Sequence, residues 1–406
     1  MFFRNLLEII STPPLRHGQG RGESICFAPM QQSLHDAWWR LATQRHPRSV
    51  FDFLVTAGLS TAACVYRAGL AMRNAAYDRQ GFDPLRLGCP VISVGNLTVG
   101  GTGKTAFVEL LTRKLVAQGR RVIILSRGYG GRSQDYWLKC EQGRLWVDGK
   151  EAMRGESLAD EPQLLARHLE GVPVVVGSRR SRTGQWATHR LGADVLILDD
   201  GFQHRSLHRD CDVVLVNARM PLEGWPLLPR GPMREPLHAL KRAQVVILTK
   251  ADEVFEKAEV LREQWCRYNP RAIWISAAHE PMGLFEAFTG MHHSLERLAD
   301  RRVGLLSSIG DPQGFEATVC KLQAVISWHR AFSDHHRYQA EDWAVVIAQG
   351  QKQPVEVLLT TEKDWVRLQP VVQVPVPFPL WILRVQMKIL SGEQALDDRL
   401  ACLCAR

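Results

Sequence analysis

A glycine-dense stretch near residue 100 carries the side chains best suited to binding a phosphate. It opens as an apolar, β-branched run at 91–94 and continues into 107–115, where apolar residues have helical spacing. Glycines between a strand and a helix allow successive backbone N–H groups to surround an anion. The residues expected to do so are Thr98, Val99, Gly100, Gly101, Thr102, Gly103, Lys104 and Thr105.

Lys104 and Thr105 give this loop the chemistry of a P-loop. In P-loop proteins the lysine reaches the β- and γ-phosphates of a nucleotide, and the hydroxyl holds Mg²⁺. The strict pattern has a glycine five residues before Gly103, whereas this chain has Thr98 there. The strand–loop–helix context still predicts a nucleotide site.

Two pairs of acids are candidates for metal binding and for acid–base work. Asp199 and Asp200 end an apolar run, and a strand-end acid that reaches Mg²⁺ is the usual companion of a P-loop. Asp160 and Glu161 precede a proline, a pattern that by itself is explained by helix capping and the helix dipole. Asp160 and Glu161 are therefore site candidates only because the chain also contains a P-loop.

A kinase also needs a group that accepts the proton of the attacking hydroxyl. The candidates from local pattern are Asp160, His204 and the Asp334–His336 cluster, and spacing does not choose among them. Two short motifs carry little weight alone. They are Thr249–Asp252, which resembles the base-reading motif of GTPases, and Glu362–Asp364.

Alternating strands and helices must position these groups. Apolar strand runs alternate with helical segments, which predicts an α/β fold with a P-loop, doubly wound parallel sheet and ligands at the carboxyl ends of its strands. Further strands at 304–308, 356–360 and 380–385 predict a second, smaller α/β domain. The expected division is a P-loop kinase domain at 81–300, a smaller C-terminal domain at 301–390 and a tail at 391–406.

The N-terminal segment differs from the rest of the chain. Residues 1–36 contain Pro13-Pro14 but no signal-peptide pattern, and we interpret them as an extension, either disordered or an artefact of an upstream start site. Residues 37–80 are predicted to form a membrane-associating segment with an amphipathic helix at 51–76. The charge-free run at 53–66 is short for a membrane span, and a helix that covers the domain core fits the pattern equally well.

The composition bounds the class of protein and its setting. The chain has 406 residues, is 45% hydrophobic and 23% charged, and carries a net charge of +9, as expected of a globular protein that meets anionic partners. It lacks the basic–aromatic array of a nucleic-acid reader. Its nine cysteines are scattered without a C-x-x-C pair, which favours a reducing, cytosolic setting over a disulfide framework or a zinc site.

Several motifs, taken together, resemble one family, the tetraacyldisaccharide 4'-kinases, which are the lipid A 4'-kinases of Gram-negative bacteria. They occur in the family's order and comprise the stretches 94–105, 125–130, 160–162, 198–204, 228–236, 334–336 and 361–364. Ala106 stands where the family usually has proline, and 308–312 reads Ser-Ile-Gly-Asp-Pro where the family usually has Gly-Ile-Gly-Asn-Pro. Neither departure removes a reactive group.

This resemblance implies an ATP-dependent kinase that phosphorylates the 4'-hydroxyl of a tetraacyldisaccharide 1-phosphate to give lipid IVA. It implies ATP and Mg²⁺ as cofactors and the lipid disaccharide as substrate. It also implies peripheral or monotopic association with the cytoplasmic leaflet of the inner membrane, which favours the membrane-surface interpretation of helix 51–76. No nucleic-acid partner and no obligate protein partner are inferred.

The resemblance also implies a role for each site residue. Asp160 looks like the base that takes the hydroxyl proton, and one histidine of Asp334–His336, with His335 favoured, would be its partner when the smaller domain closes. Lys104 would stabilise charge on the transferred phosphoryl group. The groups expected to organise Mg²⁺ are Thr105, Asp199, Asp200 and Glu161. The residues expected to contact the lipid substrate are Arg234 and His204.

The main alternative is a P-loop ATPase or GTPase that acts as a switch or partitioning protein at the membrane surface. Partitioning ATPases carry a signature lysine before the loop glycines, where this chain has Val99. Thr249–Asp252 is the feature that favours a GTPase. A membrane-binding module without catalysis would leave Lys104, Asp199 and Asp160 unexplained.

Overall fold

A long, mostly parallel β-sheet runs through the protein in the computed structural model. The structure describes residues 38, 41–42, 49–79, 81–129, 131, 134–153, 156–220, 222–372 and 376–405. The extension predicted at 1–36 lies outside these residues. The strands are β1 (Val91–Asn96), β2 (Val122–Ser126), β3 (Tyr136–Glu141), β4 (Arg144–Val147), β5 (Lys150–Glu151), β6 (Val174–Val176), β7 (Val195–Asp199), β8 (Cys211–Asn217), β9 (Val245–Thr249), β10 (Ile273–Glu286), β11 (His292–His293), β12 (Arg302–Ser307), β13 (Val325–Ala331), β14 (Val357–Thr361) and β15 (Leu380–Ser391).

Helices cover the faces of this sheet. They are α1 (Val50–Asp78), α2 (Lys104–Ala117), α3 (Asp160–His168), α4 (Arg180–Leu191), α5 (Phe255–Cys266), α6 (Pro312–Lys321), α7 (Ala340–Lys352), α8 (Glu362–Leu368) and α9 (Glu393–Cys404). Short 3₁₀ segments add Leu237–Arg242, Ala251–Glu253 and Leu295–Leu298. The strand order is β13-β12-β14-β15-β10-β9-β8-β1-β7-β2-β6-β3-β4-β5, with β11 paired to β10.

The P-loop strand β1 lies inside a parallel region, between β8 and β7. Every residue of β1, β2, β7, β8 and β9 is buried, because their Val, Ile and Leu side chains pack against helices on both faces of the sheet. This confirms the predicted P-loop, doubly wound fold. Val94 of β1 pairs with Asp199 of β7, which places the P-loop and the strand-end acids at the same edge.

Two long strands connect this region to a second parallel region. The first part of β10 pairs in parallel with β9, and the remainder pairs antiparallel with β15. β15 in turn pairs in parallel with β14, which lies beside β12. The second α/β region is thus present, whereas its division from the first at residue 300 stays a prediction.

The sequence did not predict β10 as one long strand. Its middle contains Pro281 and Gly283, residues that usually interrupt a strand. Pairing with β15 accommodates them through register shifts at Ser276–Ala277 and Pro281–Gly283. The β10–β15 ribbon is therefore set by long-range pairing rather than by local pattern.

Helix α1 leaves most of its apolar surface exposed. Ser49 caps it by accepting a 3.0 Å hydrogen bond from the Asp52 N–H. Phe51 and Leu54, on the predicted apolar face, are 72% and 63% exposed, and within the helix Ala63 and Leu70 are among its few buried residues. Among the described residues, α1 is the helix long and apolar enough to cross a membrane. A helix that merely covers the core would bury this face, so α1 fits membrane association better.

The C-terminal residues form a packed helix where the sequence analysis expected only a tail. Leu396, Leu400 and Leu403 of α9 recur at helical spacing and are buried in the core beside α2. The Lys114 ammonium on α2 bonds Glu393 at 2.6 Å and Asp397 at 3.0 Å. Three leucines in twelve residues are a weak sign of a helix in the sequence alone. They become core residues because α2 and the sheet provide the surface that they cover.

Candidate active site

The P-loop follows β1 and closes onto the start of α2. Gly100 and Gly103 have φ values of 100° and 83°, in the region that favours glycine. The Asn96 amide donates to the Thr102 hydroxyl at 3.0 Å and fixes the loop from within. A Cβ atom at Gly103 would lie only 2.5 Å from Nε2 of His279, so this position has neither the backbone freedom nor the space for a side chain.

Lys104 faces a pair formed by Asp200 and Arg234. The Lys104 Nζ lies 3.5 Å from Asp200 Oδ1, and Arg234 Nη1 donates to both Asp200 oxygens at 2.8 and 2.9 Å. Burial by itself would raise the pKa of Asp200, but the charges of Arg234 and Lys104 outweigh it and hold that pKa well below its usual range. Asp200 is therefore an ionised anchor for two cations that point toward the P-loop.

Asp199 is the buried acid of the strand end. Its side chain accepts from the Ser126 hydroxyl at 3.3 Å, and its backbone carbonyl accepts from Arg180 Nη2 at 3.2 Å. Burial raises the pKa of Asp199 above its usual value, and the negative charges of Glu161 and Asp200 raise it further. This cluster of mutually repelling carboxylates is an environment that favours a bound cation.

Glu161 connects the P-loop with α8. Its Oε1 accepts from the Thr105 hydroxyl at 3.5 Å and from the Lys363 ammonium at 2.6 Å. The charge of Lys363 lowers the pKa of Glu161 in spite of burial. Glu161 is thus ionised and lies next to the hydroxyl that the sequence assigns to Mg²⁺.

Asp160, at the start of α3, lies between two groups from the second parallel region. The Arg367 Nε lies 3.0 Å and His335 Nδ1 lies 3.4 Å from Asp160 Oδ2. Burial favours the neutral acid, but the His335 hydrogen bond and the Arg367 charge lower the pKa of Asp160. The hydrogen bond to Asp160 in turn raises the pKa of His335. His336 faces elsewhere, with its Nε2 2.8 Å from Asp342.

The chemistry of the donor set fits Mg²⁺. Among the described residues, no three acidic, histidine or cysteine side chains converge into an all-protein metal cage. Mg²⁺ rarely needs one, since it usually binds one or two carboxylates, several waters and the phosphates of the substrate. The groups near the P-loop that could supply its protein oxygens are Thr105, Glu161, Asp199 and Asp200.

His204 and Arg234 occupy different surroundings. The His204 Nε2 lies 3.2 Å from the Ser206 hydroxyl. Burial lowers the pKa of His204 to about 4, and the positive charge of Arg180 adds to this effect. His204 thus lies in a basic region near the strand-end acids, whereas Arg234 bonds one of those acids directly.

Helix α1 is attached to this site. The Tyr66 hydroxyl donates to the Arg234 carbonyl at 2.9 Å, and Asn74 Nδ2 donates to Glu235 at 3.4 Å. Arg234 in turn bonds Asp200. The exposed apolar helix and the P-loop are therefore connected through a few direct contacts.

Sequence reasoning missed three cations at the site: Arg180, Lys363 and Arg367. The motif at 361–364 was noticed, but nothing local relates it to α3, almost 200 residues earlier. Lys363 and Arg367 stand four residues apart on α8, so both face α3. This four-residue spacing is the feature of the sequence that could have predicted that both cations lie on one face of a helix. No comparable signal marks Arg180.

The GTPase-like motif serves structural contacts here. Lys250 forms an ion pair with Asp311, and Asp252 pairs with Lys321 at 2.8 Å. The acid that would read a guanine base is thus paired with a lysine of α6. This weakens the feature that favoured a GTPase.

Comparison with known proteins identifies the family. The family model described as tetraacyldisaccharide-1-P 4'-kinase matches residues 55–404. A tetraacyldisaccharide 4'-kinase of Anaeromyxobacter dehalogenans (strain 2CP-1) is 41% identical over 374 residues, which cover 91% of this chain and 95% of the relative. The enzyme of the same name from Syntrophus aciditrophicus is 38% identical over 86% of this chain and 93% of its own.

A solved structure agrees with these relatives. The crystal structure of LpxK from Aquifex aeolicus in complex with ATP matches 86% of this chain and 99% of its own, with a TM-score of 0.65 and 29% identity. The resemblance predicted from the motifs is therefore confirmed. On the family model and the relatives together, the chain belongs to the tetraacyldisaccharide-1-P 4'-kinase family.

Proposed function

We propose that this kinase transfers the γ-phosphoryl group of ATP to the 4'-hydroxyl of a tetraacyldisaccharide 1-phosphate, giving lipid IVA, with Asp160 as the base. The reaction follows from family membership, and the assignment of roles is ours. One observation carries that assignment. An ionised carboxylate, Asp160, lies beside His335 and one residue from Glu161, which contacts the P-loop hydroxyl of Thr105.

The proposed step balances as a direct displacement. The 4'-oxygen bonds to the γ-phosphorus while the bond from phosphorus to the β,γ-bridging oxygen breaks, and the electron pair leaves with ADP. The hydroxyl proton passes to a carboxylate oxygen of Asp160. His335 and Arg367 contact that carboxylate and would orient it, and Lys104 would stabilise charge on the transferred group.

Mg²⁺, when bound, would neutralise charge on the phosphates and align them. Thr105, Glu161 and Asp199 would hold it. Asp200 would contribute its negative charge to the metal site. It is held in place by Arg234 and also contacts Lys104. These metal roles are inferred from the cluster of carboxylates around Asp199, because Mg²⁺ prefers oxygen ligands.

The lipid is proposed to approach from the side of α1. Its exposed apolar face suits the cytoplasmic leaflet of the inner membrane, where we place the protein as a peripheral or monotopic enzyme. Arg234, tied to α1 through Tyr66, and the basic surroundings of His204 would meet the phosphate of the disaccharide.

Incubation with γ-labelled ATP and a tetraacyldisaccharide 1-phosphate tests the proposal. The label is expected in the lipid with the wild type and not with Lys104→Ala, whose far-UV spectrum should match that of the wild type. Label released only as inorganic phosphate, with none in the lipid, would favour the P-loop switch instead.

A further inference from the structure

Helix α8 lies along the whole of α3 and contacts it at three charged positions. Arg367 pairs with Asp160 at 3.0 Å, and Lys363 pairs with Glu161 at 2.6 Å. At the other end, Glu362 Oε1 lies 2.8 Å from His168 Nε2. The helix that carries the two catalytic-site acids is thus held by a helix from the second parallel region.

Lys363 differs from Arg367 in its freedom to move. The Arg367 side chain is 8% exposed and also donates to the Ser308 hydroxyl at 2.8 Å, so it is fixed in place. The Lys363 side chain is 33% exposed, and its ammonium ends at an oxygen of Glu161 that is also 3.5 Å from the Thr105 hydroxyl. The Lys363 ammonium therefore lies beside the P-loop hydroxyl, next to the space that Mg²⁺ and the γ-phosphate would occupy.

Lys363 and the Thr105 hydroxyl share one oxygen of Glu161. If Thr105 and Glu161 held Mg²⁺, that carboxylate would be neutralised by the metal, and the Lys363 ammonium would be free to contact another anion. The γ-phosphate would be the nearest such group, and its charge has to be stabilised during transfer.

We propose that Lys363 is a second catalytic cation, which contacts the transferred phosphoryl group in addition to Lys104. This inference rests on the proposed function and assigns a catalytic role to a residue outside the P-loop. Its placement on α8 makes phosphoryl transfer depend on the position of the second parallel region, because α8 brings Lys363 and the partners of Asp160 together.

Two variants separate a catalytic charge from a structural contact. Lys363→Met removes the ammonium and keeps the apolar stem, whereas Lys363→Gln removes the charge but keeps a donor for Glu161. Lys388→Met is the control, because Lys388 forms an ion pair of the same 2.6 Å length with Glu280 on the exposed β10–β15 ribbon. All three are measured as full-length protein in detergent at saturating ATP and Mg²⁺.

Both Lys363 variants are expected to lose about 100-fold or more in kcat, the usual cost of removing one preorganised charge from a transition state. The control is expected to stay within threefold of the wild type. If Lys363→Gln keeps kcat within threefold of the wild type, the contact is structural and the inference is wrong. If Lys363→Met does not fold, the kcat of Lys363→Gln alone decides the test.

Affinity for a transition-state mimic gives a second readout that a purely structural role would not move. With Mg²⁺, ADP plus aluminium fluoride imitates the transferred phosphoryl group, whereas ADP alone lacks it. In Lys363→Gln, affinity for ADP should change less than threefold and affinity for the mimic should fall by about 100-fold. Equal changes for the two ligands would overturn the inference.

Parallel assays keep this result separate from the proposed function. If the wild type transfers label to the lipid and both Lys363 variants do so at a rate within threefold of the wild type, only the Lys363 inference fails. If the wild type transfers none, the proposed function fails, and the comparison of ADP with the mimic still decides whether Lys363 contacts a phosphoryl group.

Discussion

At the scale of single residues, the neighbouring charges determine the pKa of each acid in the candidate site. Asp160 is ionised because His335 and Arg367 outweigh its burial, and Asp200 is ionised because Arg234 and Lys104 do the same. Asp199, with no such cation bonded to its carboxylate in the described contacts, has a raised pKa. Neighbouring acids thus differ in pKa, and hence in the tasks that they can perform.

Replacement of Asp160 by asparagine tests its role as the base. Asp160→Asn keeps the size of the side chain but cannot take a proton, so we expect kcat to fall by about 10²- to 10⁴-fold. The KM for ATP should change little, because the proposed base acts on the acceptor hydroxyl and not on ATP. Steady-state kinetics measure both values. A raised KM with an unchanged kcat would instead indicate a role in nucleotide binding.

Gly103 and Gly119 offer a matched test of the P-loop geometry. Both have positive φ, 83° and 77°, but only at Gly103 would a Cβ atom meet other atoms, whereas that of Gly119 meets open space. Each alanine substitution should destabilise the fold by about 1 kcal/mol through backbone strain. Gly103→Ala should in addition abolish ATP binding, measured by calorimetry, while Gly119→Ala binds normally. Normal binding by both variants would contradict the described loop.

At the scale of elements, α3 and α8 work as a pair. The contact of His168 with Glu362 and with Glu109 of α2, at 2.8 Å each, joins three helices around the P-loop. Helix α1 is held by polar contacts in its second half: the Tyr66 hydroxyl donates to the Arg234 carbonyl, Asn74 donates to Glu235, and Arg205 donates to Asp78 at 2.7 Å. The α3–α8 pair thus fixes Asp160 and Glu161, whereas α1 leaves an apolar surface exposed.

The His168 contacts predict a pH-dependent stability. Burial would lower the pKa of His168, but the two glutamates outweigh it and raise that pKa. A raised folded-state pKa stabilises fully below the unfolded value of about 6.5, and this contribution is lost as pH rises through the folded-state pKa. His168→Gln should therefore lose about 2 kcal/mol at pH 6 and less at pH 9.

Urea unfolding at the two pH values measures this difference. His189→Gln is the control, because His189 is an exposed residue in the last turn of α4. The control should lose little stability at either pH value. A loss in His168→Gln that does not depend on pH, or that grows toward pH 9, would contradict the charged pairing.

Membrane association through α1 can be tested on its exposed face. Phe51→Asp with Leu54→Asp should abolish sedimentation with vesicles that contain anionic lipid, because these exposed residues are the apolar contact in the proposed membrane association. Val260→Asp with Val345→Asp introduces the same charge at two half-exposed sites outside α1, and should leave sedimentation unchanged. Equal loss in both double variants would mean that net charge, rather than α1, attracts the protein to the membrane.

At the scale of the whole molecule, the site combines two parallel regions that the β10–β15 ribbon joins. The P-loop and its strand-end acids could be predicted because each lies in a local strand–loop or strand-end pattern. The partners of these groups could not, since Lys363 lies 202 residues from Glu161 and reaches it only through the sheet order. The same reason applies to α9, whose leucines are core residues only because α2 lies beside them.

The position of the new phosphate tests the central claim most directly. Phosphorus NMR of the lipid product, after reaction with ATP and Mg²⁺, should show a second phosphomonoester coupled to the proton at carbon 4' of the disaccharide, beside the original 1-phosphate. Asp160→Asn should yield almost none of it in the same time. A product that carries the new phosphate at another position, or an unchanged lipid beside consumed ATP, would contradict the account.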